Sequence, residues 1–486
     1  MVQYIFVGLI FQIYFFSKYF LGAKGAHFMH KKDNRFKDYK NIHFIGIGGS
    51  GMFPIVEILH AEGHIITGSD NNPGDNINKE IKMGIKITME HLPENVHGAD
   101  LVIFSAAIHP DNPERMEAEK LGIPCIERSV ALGWVSGLYK APICISGTHG
   151  KTTTTALVTQ ILELSGKDPG AVIGGNLPLI NGYGKSGSGE NIVIEACEFS
   201  NTYHHLVPET AVVLNIDRDH LDFFGTMENL KDSFKKFCCL STDKVLVNKD
   251  DKNTMEVVEG IDKNIITFGM EASADYKASE ITERKGGFYS FSVEKNGVKE
   301  AEINLMIPCR HNVYNALAAY AACRETGCSP DECKSAIAEF KGAGRRFEFL
   351  GVRKGITIAD DYAHHPTEIK ATLHEAGKLG YNKVWVVFQP HVFSRVKMLK
   401  NEFIDALKEA DRCVVTEILG GREKVEDFNI YSEDLVREIP GAVCINDNNE
   451  VVDYIYANAE AGDLVLTMGG GDIYKAAHLM LERFPE

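Results

Sequence analysis

The chain has 486 residues, 44% hydrophobic and 24% charged, and its 67 acidic side chains outnumber 51 basic ones to give a formal charge of −16. At about 100–200 residues per domain, this length predicts two to four globular domains, each able to bury a core without disulfides or structural metals. The acidic excess excludes strong nucleic-acid binding, which needs clustered Lys and Arg against phosphates, but not small anionic ligands, for which backbone amides and one or two cations suffice.

Eleven cysteines at irregular spacing, with no C-x-x-C, point to a reduced, cytoplasmic chain rather than to a zinc ribbon or a secreted disulfide framework. One stretch stands apart: Tyr4 to Phe16 is apolar except for Gln12. It reads in three ways. It is a membrane anchor flanked by Lys18, Lys24, Lys31 and Lys32; or a signal peptide, against which stands the lack of a basic residue before the apolar run; or an upstream extension of a protein that starts at Met29, leaving residues 1–28 outside the fold. Membrane contact follows from the first reading alone.

From Asn41 the pattern becomes regular. Residues 42–47 read as a strand, a glycine cluster follows, 52–62 carry helical periodicity, and 64–68 form a second strand. Further strands at 101–105 and 124–126 alternate with helical stretches. Residues 41–140 are therefore predicted as a doubly wound, Rossmann-like α/β domain, with 1–40 as leader and linker. A new strand over 141–146 feeds a second glycine turn and a helix over 152–164, with strands at 191–196 and 211–216. Segment 264–307 alternates in the manner of antiparallel strands, with turn signals at Lys285-Gly286-Gly287 and Lys295-Asn296-Gly297, and 311–327 reads as an alanine-rich helix. These make a central domain, 141–342. The remainder, 343–486, is again α/β: strands at 356–359, 383–388, 412–416 and 464–468, with helices at 366–379 and 395–409.

Two glycine turns carry the first chemistry. Gly46-Ile47-Gly48-Gly49-Ser50-Gly51 follows a strand, and Asp70 ends the next one, at about the spacing of an acid that holds a ribose. Alone, this turn fits an NAD-dependent dehydrogenase, or a tight turn without a ligand. Ser146-Gly147-Thr148-His149-Gly150-Lys151-Thr152-Thr153 lies between a strand and a helix; Ile145 stands where the full P-loop pattern has its first Gly. Gly-Lys-Thr in this setting still supplies amides around a triphosphate, Lys151 on its β/γ oxygens and the Thr152 hydroxyl on Mg²⁺.

Other polar groups cluster at predicted strand ends. Glu195-Ala196-Cys197-Glu198 and Asp217-Arg218-Asp219-His220 meet at one carboxyl edge if their strands are parallel, which makes Glu198 and His220 candidate ligands for one or two divalent ions. Asn312 and Asn315 lie one turn apart on a helix, where amides can bond an adenine edge or cap the helix. Arg345-Arg346 at a domain junction suits a phosphate met by a moving domain, or an interdomain salt bridge. Asp360-Asp361-Tyr362-Ala363-His364-His365-Pro366 and Gln389-Pro390-His391 through Arg395 end two further strands in the manner of a substrate site.

Taken in order, the motifs G-I-G-G-S-G-M, G-T-H-G-K-T-T-T, E-A-C-E, N-I-D-R-D-H-L-D, R-H-N-V-Y-N-A, G-R-R-F-E, D-D-Y-A-H-H-P-T-E-I and F-Q-P-H-V-F-S-R over residues 41–486 resemble the Mur ligases of bacterial cell-wall synthesis. The resemblance implies three domains: an N-terminal Rossmann-like UDP-binding domain, a central P-loop ATPase-like domain and a C-terminal Rossmann-like α/β domain. It implies ATP-dependent coupling of L-alanine to the lactyl carboxylate of UDP-N-acetylmuramate through an acyl phosphate, with recycling of a whole tripeptide as the alternative acceptor chemistry. In it, Gly147, Thr148, His149, Gly150, Lys151, Thr152 and Thr153 hold the ATP phosphates. Thr152 and Glu198 hold one Mg²⁺ (or Mn²⁺) and His220 a second ion. Asn312 and Asn315 read adenine, Asp361 takes the ATP ribose, and Arg346 reaches the phosphates on closure. Tyr362, His364 and Arg395 line the amino-acid site, with His364 the candidate base. Gly46, Gly48, Gly49, Ser50 and Gly51 take the UDP diphosphate, and Asp70, His91 and Ser105 surround uridine and sugar. Cys197-Glu198-Phe199 departs from the Asp-Glu-Ser of many members, but the glutamate survives. A monomer or homodimer is expected.

Overall fold

The computed structural model describes residues 34–485, apart from Gly286 and Arg422; the leader readings for 1–28 lie outside these residues. Among the described residues, no helix is long and apolar enough to cross a membrane.

Three sheets follow one another along the chain. The first contains β1 (Asn41–Ile45), β2 (Ile65–Ser69), β3 (Lys86–Thr88), β4 (Leu101–Phe104) and β5 (Cys125–Glu127), in the order β3-β2-β1-β4-β5 and parallel throughout. The order reverses at β1, so the glycine turn after β1 sits at the switch point, where open α/β sheets bind ligands. Helix Phe53–Ala61 buries Phe53, Ile55, Val56, Ile58 and Leu59 on this sheet, and begins with Pro54 near its N-terminus.

The central sheet has ten strands: β6 (Ala141–Ser146), β7 (Gly170–Leu177), β8 (Gly182–Lys185), β9 (Asn191–Glu195), β10 (Thr210–Val213), β11 (Lys244–Asn248), β12 (Asn264–Gly269), β13 (Tyr276–Arg284), β14 (Phe288–Lys295) and β15 (Val298–Pro308). β6 is buried at all six positions, between parallel neighbours β9 and β10. Continuous burial replaces alternation because helices cover both faces. Helix Lys151–Leu164 is buried from Thr152 to Leu162. Its β-branched threonines are accommodated by bonding back one turn: Thr155 Oγ1 donates to the Lys151 carbonyl at 2.8 Å and Thr159 Oγ1 to the Thr155 carbonyl at 2.8 Å.

The expected antiparallel run over 264–307 begins later than its alternation suggests. β12 pairs parallel with β11, because helix Lys252–Val258 carries the chain back across the sheet between them, and antiparallel pairing starts only at β13–β14. Strands β7, β8 and β11 carry no alternating signature and were not expected from the pattern.

The third sheet orders β16 (Glu348–Arg353), β17 (Ile356–Asp361), β18 (Val384–Phe388), β19 (Arg412–Val415), β20 (Val443–Cys444) and β21 (Leu464–Met468) as β16-β17-β21-β18-β19-β20, with β16 an antiparallel edge. The single helix expected over 395–409 is two, Phe393–Met398 and Lys400–Leu407. Leu399 leaves helical geometry at φ −111°, and the bend lets both Val396 and Phe403 reach the core fully.

Candidate active site

The central sheet assembles a phosphate cradle at the carboxyl ends of β6, β9 and β10. Gly150 starts helix Lys151–Leu164 at φ 86°, and a Cβ there would collide with Asn315 Oδ1, so glycine is required on both conformational and steric grounds. Asn215, just beyond β10, fastens the loop: its Oδ1 accepts the His149 N–H at 2.8 Å and its Nδ2 donates to the His149 carbonyl at 3.0 Å. Thr148 is held likewise, its Oγ1 accepting the Asp217 N–H at 2.9 Å. Thr153 is buried behind the loop.

Lys151 turns back over this loop. Its Nζ donates to the Gly147 carbonyl at 2.5 Å, the Thr148 carbonyl at 3.0 Å and Glu198 Oε1 at 3.1 Å. Burial would discharge the ammonium, but the Glu198 carboxylate more than compensates and holds its pKa well above the usual lysine range. The Thr152 hydroxyl donates to Glu195 Oε1 at 3.1 Å, and Glu195 Oε2 accepts the Gly174 N–H at 2.8 Å.

Glu198, Asp219 and His220 each offer a ligand atom, all within 4.8 Å of one another. His220 starts the short helix Leu221–Phe224 in a left-handed conformation, φ 54°, which places its Nε2 3.6 Å from Asp219 Oδ2. Glu198 is 1% exposed; its Oε1 accepts from Lys151, and its Oε2 lies 3.0 Å from the same ammonium without an aligned hydrogen bond. Two carboxylates and an imidazole gathered this closely are a donor set suited to a divalent cation, so these residues fit Mg²⁺ or Mn²⁺.

The C-terminal domain reaches this cradle through two side chains. Arg346 Nη2 donates to Thr152 Oγ1 at 3.1 Å. Glu368, in the first turn of helix Pro366–Lys378, lies 3.8 Å from His149 Nδ1, while Asp217 lies 3.8 Å from the Nε2 of the same ring. Burial alone would lower the His149 pKa; the two carboxylates reverse this and raise it to about 9. Arg345 does not join Arg346 at Thr152. It is bound inside its own domain by Asp360 at 2.8 Å and by the carbonyls of Gly469 and Gly471 at 2.6 and 2.9 Å.

Around this contact lie the expected amino-acid residues. His364 Nδ1 is 3.2 Å from the Tyr362 carbonyl, and Glu368 Oε2 accepts the His364 N–H at 3.2 Å. Burial pushes His364 down to about 4, against the pull of Glu368 and with the help of the Arg395 and Arg346 charges. Arg395 keeps a buried Nη1 with no hydrogen-bond partner. Asp361 accepts the backbone N–H groups of Phe347 at 2.8 Å and Ala363 at 2.6 Å, and burial raises its pKa to about 6. Asn312 donates to the Pro308 carbonyl at 2.6 Å and accepts from Asn315 at 2.8 Å; both amides are buried, and Asn315 lies against the Gly150 turn.

In the N-terminal domain, Asp70 Oδ2 accepts the Gly48 N–H at 3.0 Å and so shapes the glycine turn. Gly49 closes back on the Gly46 carbonyl, Ser50 and Gly51 are exposed, and Ser105 lies beside Gly46. His91 Nδ1 is 3.0 Å from Ser69 Oγ and 3.3 Å from Glu114 Oε2. Glu114 is fully buried and also accepts from Ser69 at 2.6 Å and Asn95 at 2.5 Å.

Sequence reasoning left Glu195, Asn215, Asp219, Glu368, Glu114 and Arg128 without roles. The first three sit inside motifs whose neighbours drew attention. Glu368 carries a readable signal, a capping-box glutamate three residues after His365. Arg128 runs past Gly51, where any side chain would begin in van der Waals contact with it, a cation beside the glycine turn that nothing in its local sequence announces.

A three-domain α/β protein with a P-loop-like cradle, a cation-ligand set beside it and an arginine delivered from another domain is an enzyme that uses a nucleoside triphosphate. The comparisons narrow this class. Three family models match in register: "Mur ligase family, catalytic domain" over residues 41–140, "Mur ligase middle domain" over 145–323 and "Mur ligase, glutamate ligase domain" over 345–471. The chain belongs to the Mur ligase family. It is 43% identical over 450 residues to the UDP-N-acetylmuramate–L-alanine ligase of Caldanaerobacter subterraneus subsp. tengcongensis, covering 91% of this chain and 98% of the relative. It is 41% identical to the ligase of that name from Acetivibrio thermocellus, covering 91% and 96%. Among solved structures, the UDP-N-acetylmuramate–alanine ligase of Thermotoga maritima superposes with a TM-score of 0.77 at 29% identity, covering 91% of this chain and 98% of that one.

Proposed function

We infer that this chain is an ATP-dependent ligase that forms the amide between L-alanine and the lactyl carboxylate of UDP-N-acetylmuramate, a step of cytoplasmic peptidoglycan precursor synthesis. The observation that carries this reading is the meeting of Lys151, Glu198 and Thr152 with Arg346 from the third domain, in a chain about 40% identical to ligases of that name over nine-tenths of its length. A nicotinamide dehydrogenase would use the first glycine turn and leave this second centre idle.

The chemistry needs ATP because a carboxylate is a poor acyl donor in water. A lactyl oxygen attacks the γ-phosphorus, the bond to the β–γ bridging oxygen breaks, and an acyl phosphate and ADP form. The alanine amine then attacks the acyl carbon, and the tetrahedral adduct expels phosphate. Lys151 and Arg346 neutralise charge on the transferring phosphoryl group. Glu198 and His220, with Asp219 and Thr152 beside them, would hold Mg²⁺, which supplies countercharge to the phosphates when bound. The unpartnered Arg395 Nη1 suits the alanine carboxylate. A neutral His364 whose Nδ1 proton faces the Tyr362 carbonyl presents its Nε2 lone pair to the amine, which must lose a proton. We assign the UDP-sugar to 41–140, ATP to 141–342, and alanine together with closure to 343–486.

The test is phosphate release from ATP, UDP-N-acetylmuramate and Mg²⁺, with L-alanine, glycine, L-serine and the tripeptide offered in parallel. Turnover greatest with L-alanine is expected; turnover with the tripeptide and with no single amino acid would overturn the assignment.

A further inference from the structure

Two large aromatic side chains beside the cation-ligand set have no role in the chemistry above. Phe199 immediately follows Glu198 and is 43% exposed; Phe223 lies three residues after His220 and is 44% exposed. Their rings are 5.8 Å apart, and the Phe199 ring lies 4.8 Å from the His220 ring. The neighbouring Phe224 shows that exposure is not imposed on the whole segment. It is 6% exposed and anchors the short helix in the core, with Phe223 edge-on to it at 4.9 Å. Adjacent exposed rings rimmed by polar groups are a surface that a ligand covers.

The reaction geometry identifies the occupant. For attack, a lactyl oxygen must come to about 3–3.5 Å from the γ-phosphorus, which the cradle places beside Glu198 and His220. Only the lactyl carbon and an ether oxygen separate that carboxyl group from the pyranose ring. The sugar must therefore lie within one ring's breadth of this centre on the way to the N-terminal domain, and Phe199 and Phe223 flank the centre at that range. A pyranose has an apolar face of C–H bonds and a polar edge. Phe223 also walls a cavity of about 280 Å³ whose other sides include Asn201, Asp232 and Lys236, groups that can bond such an edge.

We propose that Phe199 and Phe223 form an aromatic platform on which the muramic sugar ring and lactyl methyl of UDP-N-acetylmuramate pack, setting the carboxylate in line with the γ-phosphate. This rests on the substrate assigned above. The platform would respond to the sugar and not to the nucleotide.

Isothermal titration calorimetry with UDP-N-acetylmuramate and, separately, UDP tests it on wild type, Phe199→Ala, Phe223→Ala and the conservative Phe199→Tyr, each checked for folding by circular dichroism. Loss of one ring is expected to weaken UDP-N-acetylmuramate by about 3- to 10-fold, leave UDP binding and the KM for ATP unchanged, and be rescued in Phe199→Tyr. Equal weakening of both ligands, or a lower kcat with both affinities intact, would overturn the platform and leave the rings as packing for His220. If Phe199→Ala fails to fold, Phe199→Tyr and Phe223→Ala still decide. A wild type that binds UDP-N-acetylmuramate no more tightly than UDP would instead overturn the substrate assignment, and the platform with it.

Discussion

Replacing Lys151 with Ala should harm the protein in two separable ways. The Nζ group makes three hydrogen bonds and pairs with Glu198, whose side chain is 1% exposed against 14% for Lys151. Removing one partner of a buried pair leaves the other charge without compensation, at a cost of about 3–5 kcal/mol. That is a large part of a total stability of about 5–15 kcal/mol. In a domain of this size it corresponds to about 6–20 °C in Tm. The double variant Lys151→Ala/Glu198→Gln removes the stranded charge as well, so it should recover most of the lost Tm. It should recover no turnover, because neither the phosphate cation nor the carboxylate ligand is restored. Differential scanning fluorimetry and phosphate release measure the two effects side by side, with UDP-N-acetylmuramate binding as a control that should survive in both variants. Equal Tm values for the single and double variants would refute the buried pair; turnover in the double variant would remove Lys151 from the phosphate; loss of UDP-sugar binding would refute the division of ligands between domains.

The His149 ring gives a pH prediction. Its pKa is raised from 6.5 to about 9, so its contribution to stability is fully present below about 6.5 and is lost as pH rises through about 9. Thermal stability of the wild type should fall across that window, and Glu368→Gln, by weakening one of the two carboxylate contacts, should flatten the fall. Asp219 lies 3.6 Å from the His220 Nε2, so Asp219→Asn should raise the Mg²⁺ concentration for half-maximal turnover by about 10- to 100-fold, while EDTA should abolish wild-type turnover and added Mg²⁺ restore it. A chain beginning at Met29 should keep full turnover; an inactive truncation would make residues 1–28 part of the working enzyme.

How much of this was legible follows from what each element needs. Strands buried on both faces between helices, such as β6, show up as apolar runs, and the glycine turns after β1 and β6 show up because only glycine accepts their backbone angles and close contacts. Lys151, Glu198 and His220 converge because parallel strands deliver their ends to one edge, a consequence of topology that a βαβ pattern already carries. Strands β7 and β8, at the edge of the central sheet, were illegible: glycine at five of their twelve positions removes the side-chain alternation that marks a strand. The pairings across domains were illegible for a different reason. Arg346 meets Thr152 across 194 residues; no local pattern distinguished it from Arg345, whose guanidinium is bound within its own domain, and only the family resemblance singled it out.

The cross-domain contacts also bear on how two successive reactions share one site. Glu368 accepts the backbone N–H groups of His364 and His365 at 3.2 and 3.4 Å, and its other oxygen lies 3.8 Å from His149 on the phosphate loop. One carboxylate thus fixes the first turn of the helix beside the proposed alanine site and also pairs with a charged ring on the loop proposed to hold the ATP phosphates. A phosphate that draws the His149 imidazolium toward itself weakens its hold on Glu368; a group that moves His364 shifts the same carboxylate from the other side. Because free energies of binding are reciprocal, whatever ATP does to the alanine site through this link, alanine must do to the ATP site in equal measure. Arg346, bonded to Thr152 from the same domain, gives the link its second point of attachment, so the third domain cannot rotate without disturbing both the phosphate cradle and the acceptor site. On the proposed assignment, phosphoryl transfer and amide formation are thereby coupled by geometry: the residues that would hold the amine's pocket in place are in contact with those that would hold the phosphate whose transfer makes the amine's attack possible.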